Sequence, residues 1–228
     1  MLSSIEQPAR AAMMYVAEAE NDSTEEVSPE ESSEEQNEDT SNENADAANL
    51  RLIFTSDTHG QLTTEDYETG SANYTTGGYS RSVTLVKNAK AEVDPNNSLL
   101  FDLGDNLYDY TTDYIYNYNT STRQPIFAAI AKMGYDAITL GNHEFDYTLS
   151  YIKNQLSWAG LSGKVVLSNV KDAVTKKTVW AENKILTKDL VTGTGEKLRV
   201  KVGLIGETVP GLSKKRTNYT GILETEDI

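Results

Sequence analysis

The sequence predicts an α/β domain built on a largely parallel sheet and preceded by a disordered acidic arm. Three observations predict it. Apolar runs of strand length alternate with stretches whose apolar residues recur at helical spacing, the pattern of βαβ units. The early apolar runs close on corners rich in glycine and aspartate. The charge is also uneven: residues 1–49 hold 14 acids against one base, Arg10, while residues 50–228 hold 21 acids and 19 bases. The formal charge of −15 therefore sits mostly in the first 49 residues, and the near-neutral remainder is long enough to bury one core.

Taken from the N-terminus, residues 11–17 form a short apolar run after Arg10, and Ala17-Glu18-Ala19 fits a small-residue cleavage pattern. That reads as the end of an export leader and points to a secreted protein or one held at the bacterial surface or periplasm. From Glu20 to Asp46 there are twelve acids and no Lys or Arg, too polar a segment to offset the entropy of ordering itself. Residues 1–49 are therefore expected to be a leader remnant plus a solvated spacer. A sharper reading makes the spacer an acidic arm that repels other polyanions or collects divalent cations.

Leu52-Ile53-Phe54-Thr55 reads as a first strand and residues 79–92 as a helix, with Gly77-Gly78 before it. Residues 99–103 form a second strand closed by Gly104. A helix is expected over 125–134, with Pro125 in its first turn and Gly134 after its last. Residues 136–140 give a third strand closed by Gly141, 147–158 a further helix, and 164–168 a fourth strand. Lys184–Leu190 and Leu198–Ile205 are longer strands joined by a Gly-containing turn. The tyrosine-rich stretch 108–118 reads as a loop that packs on the domain or lines a nucleoside rim. Lys214-Lys215-Arg216 reads as a solvated patch.

Composition removes several functions. With no cysteine, disulfides and Cys-ligated zinc or iron–sulfur sites are excluded. Neither half of the chain is basic, so a nucleic-acid polymer is not an expected partner. No apolar run reaches the length of a transmembrane segment.

In parallel sheets ligands sit beyond the carboxyl ends of the strands, which makes the residues after each strand the ones that matter. The first strand ends in Asp57-Thr58-His59-Gly60, the second in Gly104-Asp105-Asn106, and the third in Gly141-Asn142-His143-Glu144-Phe145-Asp146; both histidines of the chain fall here. Asp57 and His59, two apart in extended chain, would point to one side and could hold a cation. Asp105 would project into the same crevice, where a carboxylate can bridge two cations. Asn142 adds a neutral oxygen. His143 is suited to donate to developing charge, with Asp146 fixing its tautomer. A lone D-x-H or G-D is common and weak, but the Asn-His-Glu run at a strand exit has no packing rationale.

This series, D-x-H then GDN then GNHEFD, resembles the opening motifs of the calcineurin-like metallophosphoesterases. LIFTSDTHGQL, LLFDLGDN, GYDAITLGNHEFDY, VVLSNV and VGLIGETVP together resemble the branch of 5′-nucleotidases and 2′,3′-cyclic-nucleotide phosphodiesterase/3′-nucleotidases. The resemblance implies the N-terminal part of a four-layer αββα sandwich and a small-molecule nucleotide substrate. It also implies two divalent metal ions (Mn, Zn, Fe or Co), with Asp57 and His59 on the first, Asp105 bridging, and Asn142 on the second. His143 and Asp146 would be the catalytic dyad. The chain departs from the family in one respect: no histidine follows His143, so the downstream histidine ligands and the GHxH segment have no counterpart. Residues 50–228 are therefore expected to be an incomplete catalytic domain, inactive alone and without the C-terminal nucleobase-binding domain. The alternative is a non-catalytic interaction module with a relic metal site.

Overall fold

A computed structural model describes residues 12–19, 47–65, 69–71 and 77–226. The acidic stretch expected to be disordered lies outside the described residues. The strands are β1 (Ala12–Ala19), β2 (Arg51–Thr55), β3 (Ser98–Asp102), β4 (Ala137–Ile138), β5 (Val170–Asp172), β6 (Asn183–Val191), β7 (Lys197–Glu207) and β8 (Leu223–Thr225). The helices are α1 (Tyr79–Ala91), α2 (Tyr110–Tyr118), α3 (Pro125–Met133), α4 (Leu149–Trp158) and the single turn α5 (Leu212–Lys215).

β2, β3 and β4 form a parallel sheet in that order, with Leu52 opposite Leu99 and Phe54 opposite Phe101. All five residues of β3 are buried, because its two faces meet different layers. Leu100 turns toward the helices, packing with Ile126, Phe127 and Ile130 of α3 and Ile152 and Leu156 of α4. Leu99 and Phe101 turn the other way, onto Leu190, Val200, Val202 and Leu204 of the β6–β7 hairpin. The period-two alternation of side chains in a strand thus fills two cores from one apolar run. The layers are helix, parallel sheet and antiparallel sheet, three of the four expected for the sandwich.

Sequence expectation and structure agree closely for α1, α3 and the hairpin. In α3, Pro125 occupies the first turn and Gly134 follows in the left-handed conformation at φ 73°. Elsewhere they differ. The stretch 108–118 is not a loop: Asp109 accepts from Thr112 N and Thr112 Oγ1 accepts from Asp109 N, both at 2.9 Å, a reciprocal cap that starts α2. The fourth strand shrinks to bridges, Ile138 with Val165 and Val166 with Ala181. The chain then leaves the sheet, as Ser168 N donates to Gly206 O (2.7 Å) on β7. Residues 12–19, read as part of a leader, form β1, antiparallel to the outer edge of β7 from Ala12–Glu207 to Ala19–Val200. Among the described residues no helix is long and apolar enough to cross a membrane.

Candidate metal and phosphoester site

The loops after β2, β3 and β4 meet at the carboxyl edge of the parallel sheet. The first runs alongside the second beyond the strand ends: Asp57 N donates to Gly104 O (3.0 Å), His59 N to Asp105 O (3.0 Å) and Gly60 N to Asn106 O (2.7 Å). This path bends sharply. Asp57, His59, Asp105 and Tyr108 all take positive φ, at 55°, 45°, 54° and 78°. The expectation that Asp57 and His59 lie in extended chain is therefore corrected. Two left-handed residues bring them together instead, with His59 Nε2 4.0 Å from Asp57 Oδ1. Left-handed backbone at non-glycine positions is uncommon, tolerated best by Asn, Asp and His, and concentrates at functional sites.

Two glycines let the second and third loops touch. A Cβ on Gly104, itself at φ 89°, would strike the Gly141 nitrogen, and a Cβ on Gly141 would strike the Asp105 carboxylate. Asp105 is only 4% exposed and its Oδ1 accepts from His143 N at 2.8 Å. Burial pushes its pKa above the ordinary aspartate range, against the pull of that N–H.

Each candidate metal donor has a definite state. The His59 Nδ1 faces two carbonyl oxygens, Leu107 O at 3.1 Å and Tyr108 O at 3.2 Å. Carbonyl oxygens only accept, so Nδ1 carries a hydrogen and Nε2 is the ring nitrogen left for a ligand, the arrangement that outer partners impose on a metal-binding histidine. Asn142 Oδ1 is buried with no hydrogen-bond partner. An orphaned buried oxygen of this kind is open to a hydrogen-bond donor or a cation. Among the described residues no group of three or more His, Cys, Asp or Glu side chains has converged closely enough to hold an ion. The donor set of two carboxylates, one imidazole and one amide nevertheless suits divalent metals in its chemistry.

His143 and Asp146 form the expected pair, Nδ1 to Oδ2 at 2.7 Å. Tyr108, 48% exposed, stacks on the His143 ring at 4.3 Å and 21°, and the His59 ring meets His143 edge-on at 5.1 Å. A cavity of about 300 Å³ opens on the α1 side, lined by Ser56, Asp57, Thr58, Gln61, Gly78 and Arg81. Asp57 borders both this space and the junction.

All six residues singled out in the sequence lie on these three loops, but two carboxylates behind them had no assigned role. Glu144 is fully buried and accepts four backbone N–H groups. Its Oε2 takes Asp105 (2.9 Å) and Gly141 (2.8 Å), and its Oε1 takes Asn106 (2.6 Å) and Leu107 (3.2 Å). Burial raises its pKa to about 8, the Asp105 charge adds to this, and the N–H donors oppose it. Every partner is a donor, so the geometry itself suits the carboxylate form. Asp102, also fully buried, accepts from Thr55 Oγ1 (2.6 Å), Asn106 Nδ2 (2.5 Å) and Gly104 N (3.1 Å). Burial raises it to about 6 against those bonds. The GNHE string held the signal for Glu144, since a carboxylate there has no solvent to face.

The strand ends of this α/β sandwich thus carry metal-type donors beside a His–Asp pair. Residues 50–196 match the calcineurin-like phosphoesterase family, and the chain belongs to it. The 2′,3′-cyclic-nucleotide 2′-phosphodiesterase/3′-nucleotidase of Haemophilus influenzae is 33% identical over 184 residues, 79% of this chain and 27% of that protein. The trifunctional nucleotide phosphoesterase YfkN of Bacillus subtilis is 30% identical over 81% of this chain and 13% of that protein. The 5′-nucleotidase of Vibrio cholerae is 26% identical over 78% of this chain. The crystal structure of the calcineurin-like phosphoesterase YfkN from Bacillus subtilis superposes with a TM-score of 0.69 at 26% identity, covering 79% of this chain and 55% of that one. The chain thus spans about a quarter of the length of the first two of its cyclic-nucleotide phosphodiesterase relatives.

Proposed function

We propose that the parent protein hydrolyses nucleotide phosphoesters, with Asp57, His59, Asp105 and Asn142 holding two divalent metal ions. The observation that carries this is the junction at Asp105, whose buried carboxylate accepts from the third loop and whose backbone carbonyl accepts from the first, with an orphaned oxygen on the neighbouring Asn142. Bound there, divalent ions supply Lewis acidity toward phosphoryl oxygens and a nucleophile at neutral pH. The remaining work falls to the chain's own residues. His59 offers Nε2 because Leu107 and Tyr108 occupy Nδ1. Asp146 holds His143 at Nδ1, which leaves Nε2 to pass a proton to the departing oxygen as the P–O bond breaks. Glu144 and Asp102 fix the loop that presents Asp105.

The relatives' names support a nucleotide substrate, and the higher identity to the cyclic phosphodiesterase/3′-nucleotidase favours a 2′,3′-cyclic or 3′-nucleotide over a 5′-nucleotide. The second ion would have two protein donors in this chain, Asp105 and Asn142, and so be weakly held; residues 1–228 alone are expected to turn over little. The test is hydrolysis of 2′,3′-cyclic AMP by the complete gene product, with and without Mn²⁺, in wild type and Asp105→Asn. Metal-stimulated turnover that disappears in the variant is expected. Equal, metal-independent traces in both would favour the interaction module.

A further inference from the structure

The segment 212–219, outside every motif, reaches the site from the other end of the domain. Its two anchors are Leu212 and Tyr219, both buried. The Tyr219 ring packs edge-on to Phe145 at 5.7 Å and 72°, and its hydroxyl donates to the Tyr147 carbonyl, so the segment is seated on the Asn142–Tyr147 loop. Arg216 lies between the anchors: its N donates to Leu212 O (2.8 Å), and its carbonyl accepts from Tyr219 N (2.9 Å). Its Nε stands 2.7 Å from Asp146 Oδ1, a charge contact with the N–H angled off the oxygen. The other Asp146 oxygen holds His143 Nδ1 at 2.7 Å. The Arg216 and Asp146 side chains are 29% and 19% exposed, so Arg216 does not belong to a freely solvated patch with Lys214 and Lys215.

A carboxylate bonded only to His143 could rotate about its Cα–Cβ and Cβ–Cγ bonds and carry the imidazole with it. One with His143 on one oxygen and a half-buried cation against the other has a favoured orientation, and a guanidinium is a planar, permanently charged group suited to that task. We propose that Arg216 is a positioning residue which, through Asp146, holds His143 aimed at the leaving-group oxygen. This rests on the phosphoesterase reading above. A residue of this kind matters most when the departing oxygen needs its proton. The electron pair of the breaking P–O bond stays on that oxygen; a nucleoside alkoxide must be protonated, whereas nitrophenolate leaves without help.

The experiment compares wild type, Arg216→Met and Arg216→Lys in the complete gene product, on 2′,3′-cyclic AMP and on bis(p-nitrophenyl) phosphate. For Arg216→Met, kcat on the cyclic nucleotide should fall about tenfold with KM unchanged, while the nitrophenyl ester changes less than about twofold. Arg216→Lys should lose about threefold on the nucleotide only, and it carries the test if Arg216→Met does not fold. In an Asp146→Ala background, Arg216→Met should add nothing. Independently of activity, the low-field proton NMR signal of a His Nδ1–H bonded to a carboxylate should broaden or vanish in Arg216→Met. Equal losses on both substrates, or none on either, would overturn the inference. No hydrolysis by wild type would sink the phosphoesterase reading itself, and the inference with it.

Discussion

The rim of the parallel sheet and the β6–β7 hairpin follow opposite rules within one domain. In the hairpin, apolar Leu190, Val200, Val202 and Leu204 turn inward. Its outer face carries Arg199 paired with Asp189 at 2.7 Å, with Arg199 holding the Asp189 carboxyl below its usual range. At the rim, Asp57, His59 and Asp105 sit in left-handed backbone, and Asp102 and Glu144 are buried without a cationic side chain among their hydrogen-bond partners. The hairpin follows the ordinary rule of apolar residues inside and charged residues outside. The rim keeps left-handed backbone and buried carboxylates that folding by itself does not require, features that concentrate at functional sites.

The largest contrast comes from Glu144→Ala, which leaves four backbone N–H groups unpaired in the interior. Urea unfolding should show a loss of at least about 3 kcal/mol, or no folded protein at all. If the variant unfolds like wild type, Glu144 does not hold the second and third loops together. Gly141→Ala comes next, because its Cβ displaces the Asp105 carboxylate. It should cost about 1–3 kcal/mol and remove metal-stimulated hydrolysis from the complete protein. Full activity in a folded Gly141→Ala would show that Asp105 has freedom the geometry denies it.

The pH response separates the regions too. Asp102 rises from 3.8 to about 6 on folding, so between those values the folded state binds more protons than the unfolded chain. This contribution is fully present below about pH 4 and is lost as pH rises through about 6, by an amount on the order of 3 kcal/mol. Thermal melts in EDTA should fall across that range; a melting temperature that climbs instead would contradict the buried-acid account. The smallest effect belongs to the hairpin. Asp189→Asn should leave the urea midpoint unchanged within error, since the pair is exposed.

Much of this was readable in the sequence, for identifiable reasons. Strand-length apolar runs and helical spacing marked β2, β3, α1, α3 and the hairpin, and glycine corners marked the three loops. What escaped depends on partners far along the chain. Three of the four backbone groups bonded to Glu144 are 37 to 39 residues away, and Arg216 finds Asp146 across 70 positions, contacts that no local pattern encodes. The helix α2 is masked in the sequence because its tyrosines and threonines favour strands, and only the Asp109–Thr112 cap marks its start. The leader reading and β1 also claim the same residues, since cleavage after Ala19 would remove the strand and bare the edge of β7. N-terminal sequencing of the mature protein decides between them, and an intact Ala12–Ala19 supports the strand.

The central claim is that the three strand-end loops meet at a metal site organised by Asp105. Crystals of the complete protein grown with Mn²⁺ and measured at the manganese edge test it directly. Anomalous density contacting Asp105, with His59 Nε2 and the Asn142 oxygen turned toward it, is the predicted result. An ordered rim with no anomalous peak beside Asp105 would contradict it.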